Sequence, residues 1–248
     1  PSAGFNYPGY GRSIVDDTMA MGRLEYDIND NITVHAGLGR HYAKLDAIAG
    51  NITLLNAGGD FSSTPAWQIL RSETTSFETG ATARFATGPV KHQVVASFSR
   101  LQNSQDIGFV FPWAGVRMSN LYDPVASATP STDGITNDIG KYQENTLTSY
   151  ALADTLSFLD DRVLLTLGAR HQTVESQNYD YSTHLPSGNM YNESAVTPVA
   201  GLVVKPLSNL SLYANYIEGL SQGATALPPT VTTAAALPPM KTKQAEIG

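Results

Sequence analysis

The chain has 248 residues, of which 42% are hydrophobic and only 15% charged, and it carries a net charge of −7 with no cysteine. A soluble domain carries nearer a quarter charged residues, so much of this surface is not built to face water. The missing cysteine excludes disulfide scaffolds, thiolate metal sites and thiol catalysis, and the acidic balance without a Lys/Arg cluster excludes nucleic acid as a partner.

No run approaches the roughly 18–20 consecutive apolar residues of a membrane-spanning helix. Contact with lipid therefore needs alternating strands, the other way to satisfy a backbone in hydrocarbon. In chain order, the first strand is predicted over 19–28, with Leu24, Tyr26 and Ile28 opposite Arg23, Glu25 and Asp27. The clearest follows at 32–39, where Ile32, Val34, Ala36 and Leu38 alternate with Thr33, His35, Gly37 and Gly39. A helix would need apolar residues at steps of three and four, and those steps land on Thr, His and Gly. Over 76–86, Phe77, Ala81, Ala83 and Phe85 oppose Glu78, Gly80, Thr82 and Arg84. The strands at 93–101 and 145–158 are less regular, with aliphatic residues on both faces. The segment 163–172 sets Val163, Leu165, Leu167 and Ala169 against Thr166, Gly168 and Arg170. Strands at 195–205, 210–218 and 242–248 bring the total to about nine.

The connections carry as much information as the strands. Tight ones at 29–31, 87–89, 159–162 and 206–209 are rich in Gly, Pro, Asn and Asp, the residues of turn geometry. Long ones near 44–66, 102–142, 178–194 and 219–241 alternate with them. That asymmetry belongs to outer-membrane barrels, with short periplasmic turns and long extracellular loops; a soluble sandwich has no reason to alternate. Several strands run to ten or more residues, against five or six in soluble sheets. No repeat of a solenoid period is present. The expected fold is all-β, a transmembrane antiparallel barrel filling 1–248.

The end of the chain adds a family likeness. The run Thr197-Pro198-Val199-Ala200-Gly201-Leu202-Val203-Val204-Lys205-Pro206 leads into Leu210-Ser211-Leu212-Tyr213-Ala214-Asn215-Tyr216-Ile217-Glu218-Gly219. After a loop comes Leu237-Pro238-Pro239-Met240-Lys241-Thr242-Lys243-Gln244-Ala245-Glu246-Ile247-Gly248. These segments resemble the barrel of TonB-dependent siderophore receptors, the ferrichrome and hydroxamate group especially. The stretch 148–170, a strand, an acidic turn and a strand ending in Gly168-Ala169-Arg170, is similar to the family's middle barrel. Val199 departs from the pattern, standing where the family often has Arg.

The resemblance implies a 22-stranded barrel filled by an N-terminal plug domain and driven by the TonB complex and the proton-motive force. Neither plug nor TonB-contacting segment falls within 1–248, and about nine strands do not close such a barrel. The chain, which starts at Pro1 without a signal peptide, is therefore expected to be a fragment with strands missing on both sides. It implies a multi-pass location in the bacterial outer membrane, import of a ferric siderophore of hydroxamate type, and no resident cofactor.

Candidate chemistry is non-covalent. His35, His41, His92, His171 and His184 are scattered without metal-ligand spacing, and no nucleophile or phosphate-binding motif appears on a strand-to-helix turn. No catalytic or metal-binding residue is therefore assigned. The long loops hold aromatic clusters that water-facing segments do not need. Phe109, Phe111 and Trp113, with Tyr122 close behind, form one candidate platform for ligand, and Phe5, Tyr7 and Tyr10 form a second. Loop packing or an interfacial girdle would equally occupy such residues. Arg23, Arg84 and Arg170 fall on polar faces, where lumenal ion pairs, with each other's neighbours or with the plug, are the first expectation. A passive porin-like channel accounts for the strands and loops but not for the likeness at 195–248.

Overall fold

The computed structural model describes residues 9–111, 113–221, 225–226, 235–236 and 240–248. They form β1 (Arg12–Asn29), β2 (Ile32–Leu54), β3 (Asp60–Thr87), β4 (Val90–Val110), β5 (Arg117–Asn120) and β6 (Ile139–Phe158), then β7 (Val163–Tyr179), β8 (Pro186–Leu207) and β9 (Leu210–Ser221). The two-residue strands β10 (Thr225–Ala226) and β11 (Ala235–Ala236) pair with each other, and β12 (Met240–Ile247) returns to β9. The main sheet is an antiparallel meander in the order β1-β2-β3-β4-β6-β7-β8-β9-β12, with β5 added beside β3. It is all-β and open, with β1 and β12 as its edges among the described residues.

Cross-strand partners share a face, so register converts sequence alternation into two walls. One row runs Tyr26, Val34, Ala81, Ala96, Leu152, Ala169 and Pro198 across seven strands. The adjacent row, one residue away, runs Glu25, His35, Gly80, Ser97, Ala151, Arg170 and Thr197. The first row is apolar throughout and the second is small or polar throughout. A sheet dry on one face and wet on the other suits a barrel wall between lipid and an aqueous lumen. At one end of the apolar wall, Phe77, Phe98 and Tyr150 stack edgewise, with centroids 6.1 and 5.0 Å apart, as a girdle at a membrane interface does. From Phe158 to Tyr150 along β6 the wall covers roughly 27 Å of strand, or about 20 Å of bilayer at a tilt of ~40°.

At the other end the turns are tight. Thr87 pairs directly with Val90 and Leu207 with Leu210. At 159–161, Leu159, Asp160 and Asp161 all take positive φ (53°, 52° and 65°), a left-handed run that side chains disfavour. It is tied down by Asp161, which accepts hydrogen bonds from Ser157 Oγ and, at 2.9 Å, from Lys91 Nζ.

The strands continue well past the predicted boundaries. β3 has 28 residues, about 90 Å of chain, where nine to eleven residues suffice to span a membrane. Residues 44–54 and 60–66 lie in β2 and β3 and stay in register to the Leu54–Phe61 pair, so the connection there is 55–59, far shorter than the 44–66 expected. The 102–142 connection shrinks to 111–138 with β5 inside it, and 178–194 to 180–185. The cause is physical: beyond the apolar rows both faces meet mixed surroundings, so the pairing persists while the period-two pattern fades.

Candidate functional site

The concave polar wall carries a groove of about 520 Å³. Its floor is a stripe of larger apolar side chains, Met21, Leu101, Leu147 and Val174, aligned with Gly39 and Ser76 in one row. Charged groups flank it. Arg23 pairs with Glu78 at 2.6 Å and with Glu25 at 3.5 Å, and His41 Nε2 lies 2.8 Å from Asp17. Arg84 Nε donates to Gln93 Oε1 at 3.4 Å. Arg170, which lines the same groove, makes no ion pair among the described residues. The expectation of lumenal pairing thus holds for Arg23, while Arg84 takes an amide partner and Arg170 none. Gly80 keeps the wall shallow beside His35, because a Cβ there would stand 2.7 Å from the imidazole Cε1. The apolar stripe was not predicted, although the irregular alternation at 93–101 and 145–158 was its trace in the sequence.

The predicted aromatic platform divides into three places. Phe109 pairs with Gln68 and so continues the polar, lumenal face, eight residues beyond Leu101 on β4, roughly 26 Å along the strand. Phe111 follows it, the two rings 6.3 Å apart with their planes 29° apart, both exposed. Trp113 goes to the opposite side. Its ring lies 6.4 Å from Trp67, and its Nε1 donates to the Ser131 carbonyl at 3.0 Å. Tyr122 sits at the tip of the β2–β3 hairpin, its ring over Gly59, whose φ of +89° a side chain would not adopt. The structure therefore brings Phe109 and Phe111 together and separates both from Trp113 and Tyr122.

Tyr10 is fully buried, in a core with Ile48, Trp67 and Ile69 that Val110, Trp113, Ile135 and Ile139 complete. Its hydroxyl lies 2.6 Å from Ser63 Oγ, and Arg117 covers its ring at 5.5 Å. This residue holds the 111–138 connection against the outer face of the hairpin and offers no surface to a ligand. Phe5 and Tyr7 lie outside the described residues.

The tips of the connections are fixed by carboxylates. Asn56 and Asn120 donate to Asp60 and hold its carboxyl below the ordinary range. Asp180 accepts from Ser182 Oγ and from the backbone amides of Thr183 and Ser182, which pushes it down to about 2. Among the described residues no group of three or more His, Asp or Glu side chains could hold a metal ion.

With this geometry in place, the comparisons with known proteins are direct. The family described as TonB dependent receptor-like, beta-barrel matches residues 1–248. The ferrichrome receptor FcuA of Yersinia enterocolitica is 31% identical over 232 residues, 91% of this chain and 30% of that protein. The crystal structure of BauA, the ferric preacinetobactin receptor from Acinetobacter baumannii, has a TM-score of 0.80 and 34% identity over 97% of this chain and 36% of that one. The siderophore receptor PiuA of the same organism shares the fold, with a TM-score of 0.66 at 21% identity over 96% of this chain and 38% of that one. The chain spans about a third of the length of the relatives it matches. Matched along all its residues, and folded as a sheet with one apolar and one polar wall, the chain belongs to the TonB dependent receptor-like β-barrel family.

Proposed function

We propose that this chain forms part of the wall of an outer-membrane receptor that imports ferric siderophores, crossing the membrane many times. In this reading the long connections lie outside the cell and the tight turns in the periplasm. The ligand is received near Phe109 and Phe111 and passes along the polar face. The energy comes from the TonB complex acting on a plug, which is carried, like the remaining strands of a 22-stranded barrel, by parts of the receptor beyond these residues. The ferric siderophore is cargo, and no resident cofactor is needed. The relatives reported above are receptors by name rather than enzymes, and a passive channel finds no support among them.

The observation that carries the reading is the exposed, stacked Phe109–Phe111 pair on the same face as the lumenal groove. Rigid aromatic faces bind with little loss of side-chain freedom. Likeness to the ferrichrome receptor favours a hydroxamate-type ligand. The test is the double variant Phe109→Ala/Phe111→Ala in the full-length receptor, with binding of ferrichrome measured on whole cells. Removing two such anchors is expected to weaken binding by about tenfold or more. Unchanged affinity would show that the pair is not the platform.

A further inference from the structure

One pair of side chains breaks the apolar wall. Asp154 stands in the outward row between Val94 and Leu167, and His92 in the next outward row between Phe85 and Leu156. His92 Nδ1 and Asp154 Oδ2 are 2.7 Å apart, and the side chains are only 15% and 30% exposed. Phe85 stacks on the imidazole at 4.8 Å with the planes 8° apart. One residue along each strand, Gln93 and Thr155 face the polar wall, where an ionisable pair would have been at home. Facing lipid it is costly, and such groups mark function by default.

The pair is also incompletely satisfied. Asp154 Oδ1 is shut off from solvent without a hydrogen-bond partner. His92 Nε2 has no partner among the described residues either. The location is specific too: His92 lies two positions from the start of β4, and Asp154 four from the end of β6. Measured along the strands, His92 lies roughly 7 Å and Asp154 roughly 13 Å from the rim that carries the tight turns, so His92 is the member nearer the headgroups. The neighbouring charged groups Arg84 and Lys91 belong to the inward rows.

We propose that the His92–Asp154 pair seats the headgroup of one phospholipid in the leaflet beside the tight turns, an ethanolamine phospholipid above others. Asp154 holds one ring nitrogen and Phe85 covers one ring face, so Nε2 is presented outward in a fixed direction. A zwitterionic headgroup answers that nitrogen in either protonation state. An Nε2–H donates to a phosphate oxygen, and an Nε2 lone pair accepts from the ammonium. The hydrocarbon around the pair supplies no other donor or acceptor.

The full-length receptor, purified in detergent, tests this by its thermal midpoint and by native mass spectrometry as phosphatidylethanolamine is added back. The wild type is expected to keep one tightly held phospholipid and gain about 3 °C. His92→Phe, which preserves the stacking but not the nitrogen, should lose both effects. His92→Gln, with a donor of similar reach, should keep part of them, and Asp154→Asn should weaken them. Equal stabilisation of His92→Phe and wild type would overturn the proposal. So would a gain reproduced by inorganic phosphate alone. Neither readout depends on the cargo, so failure here is distinct from failure of the transport reading.

Discussion

The lower and upper parts of this one sheet use their two faces in opposite ways. Below, between the tight turns and the Phe77–Phe98–Tyr150 girdle, the outward face is apolar and exposed apart from the His92–Asp154 pair, and the inward face is small and polar. Above, the same outward face carries a buried core of Tyr10, Ile48, Trp67 and Ile69, and the inward face presents Phe109 and Phe111 to solvent. No register shift separates the two parts of the β2–β3 ladder, so the change lies in what covers the face and not in which way it points. The lower wall is left for lipid in the proposed reading, and the chain's own connection between β4 and β6 covers the upper one. An apolar outward residue therefore has two meanings on one strand, and only the three-dimensional neighbours distinguish them.

The largest expected effect comes from removing the upper cover. Trp67 packs on Trp113 and Ile48, and its Nε1 donates to Asp46 at 3.1 Å. Asp46 also pairs with Arg12 at 2.8 Å. Trp67→Ala should cost about 3–5 kcal/mol of local stability. The loss should appear as faster amide exchange over 44–54, 60–69 and 111–138, with 163–172 unchanged. Equal loss of protection in β7 would mean that the two parts are one cooperative unit, and the contrast drawn here would fail.

The lower wall is probed by the same charge on opposite faces. Leu152 is 59% exposed on the outward face, and its row contains only apolar partners. Leu152→Arg, two residues in from the Tyr150 girdle, should cost about 1–3 kcal/mol, since the penalty falls from the midplane toward the interface. Ser149 faces the polar wall opposite Ser99 and Gln172, and Ser149→Arg should cost less than about 1 kcal/mol. Urea titrations of the receptor refolded into lipid vesicles measure both. Similar costs would mean that the apolar wall does not face lipid.

How much of this was legible in the sequence follows from the same contrast. The strands at 19–28, 32–39, 76–86 and 163–172 were readable because one face is apolar and the other polar, which imposes a period of two. The upper extensions of β2 and β3 were not, because Ile48 and Trp67 satisfy a local core whose other half, Trp113 and Ile135, is contributed from far along the chain. The aromatic cluster was found by composition, but its division was invisible. Phe109 and Phe111 share a face by parity, whereas Trp113 is turned outward by the path of a connection that no periodicity describes. Irregular alternation at 93–101 and 145–158 registered the apolar floor of the groove and the outward Asp154 without saying which was which.

The smallest effect concerns the ends of the ladder, where the upper turn at 180–185 and the lower turn at 159–162 are both held by an aspartate. Asp180 caps its turn alone: its carboxylate accepts from Ser182 and Thr183, while His184 N donates to the Asp180 carbonyl at 2.8 Å. Asp161 instead reaches Ser157 and then Lys91, and these partners hold its carboxyl below the ordinary range. A carboxyl depressed in the fold stabilises it while ionised. That contribution is fully present above the unfolded value near 3.8 and, for Asp180, is lost as the pH falls through about 2. Amide exchange at Ser182 and Thr183 should accordingly stay slow down to about pH 4, once intrinsic rates are divided out, and quicken toward pH 2. Asp180→Asn should flatten that profile while leaving the lower turn's response in place, because Asp161 keeps its own partners on two strands. A pH response at 180–185 that survives Asp180→Asn would assign the latch to another group.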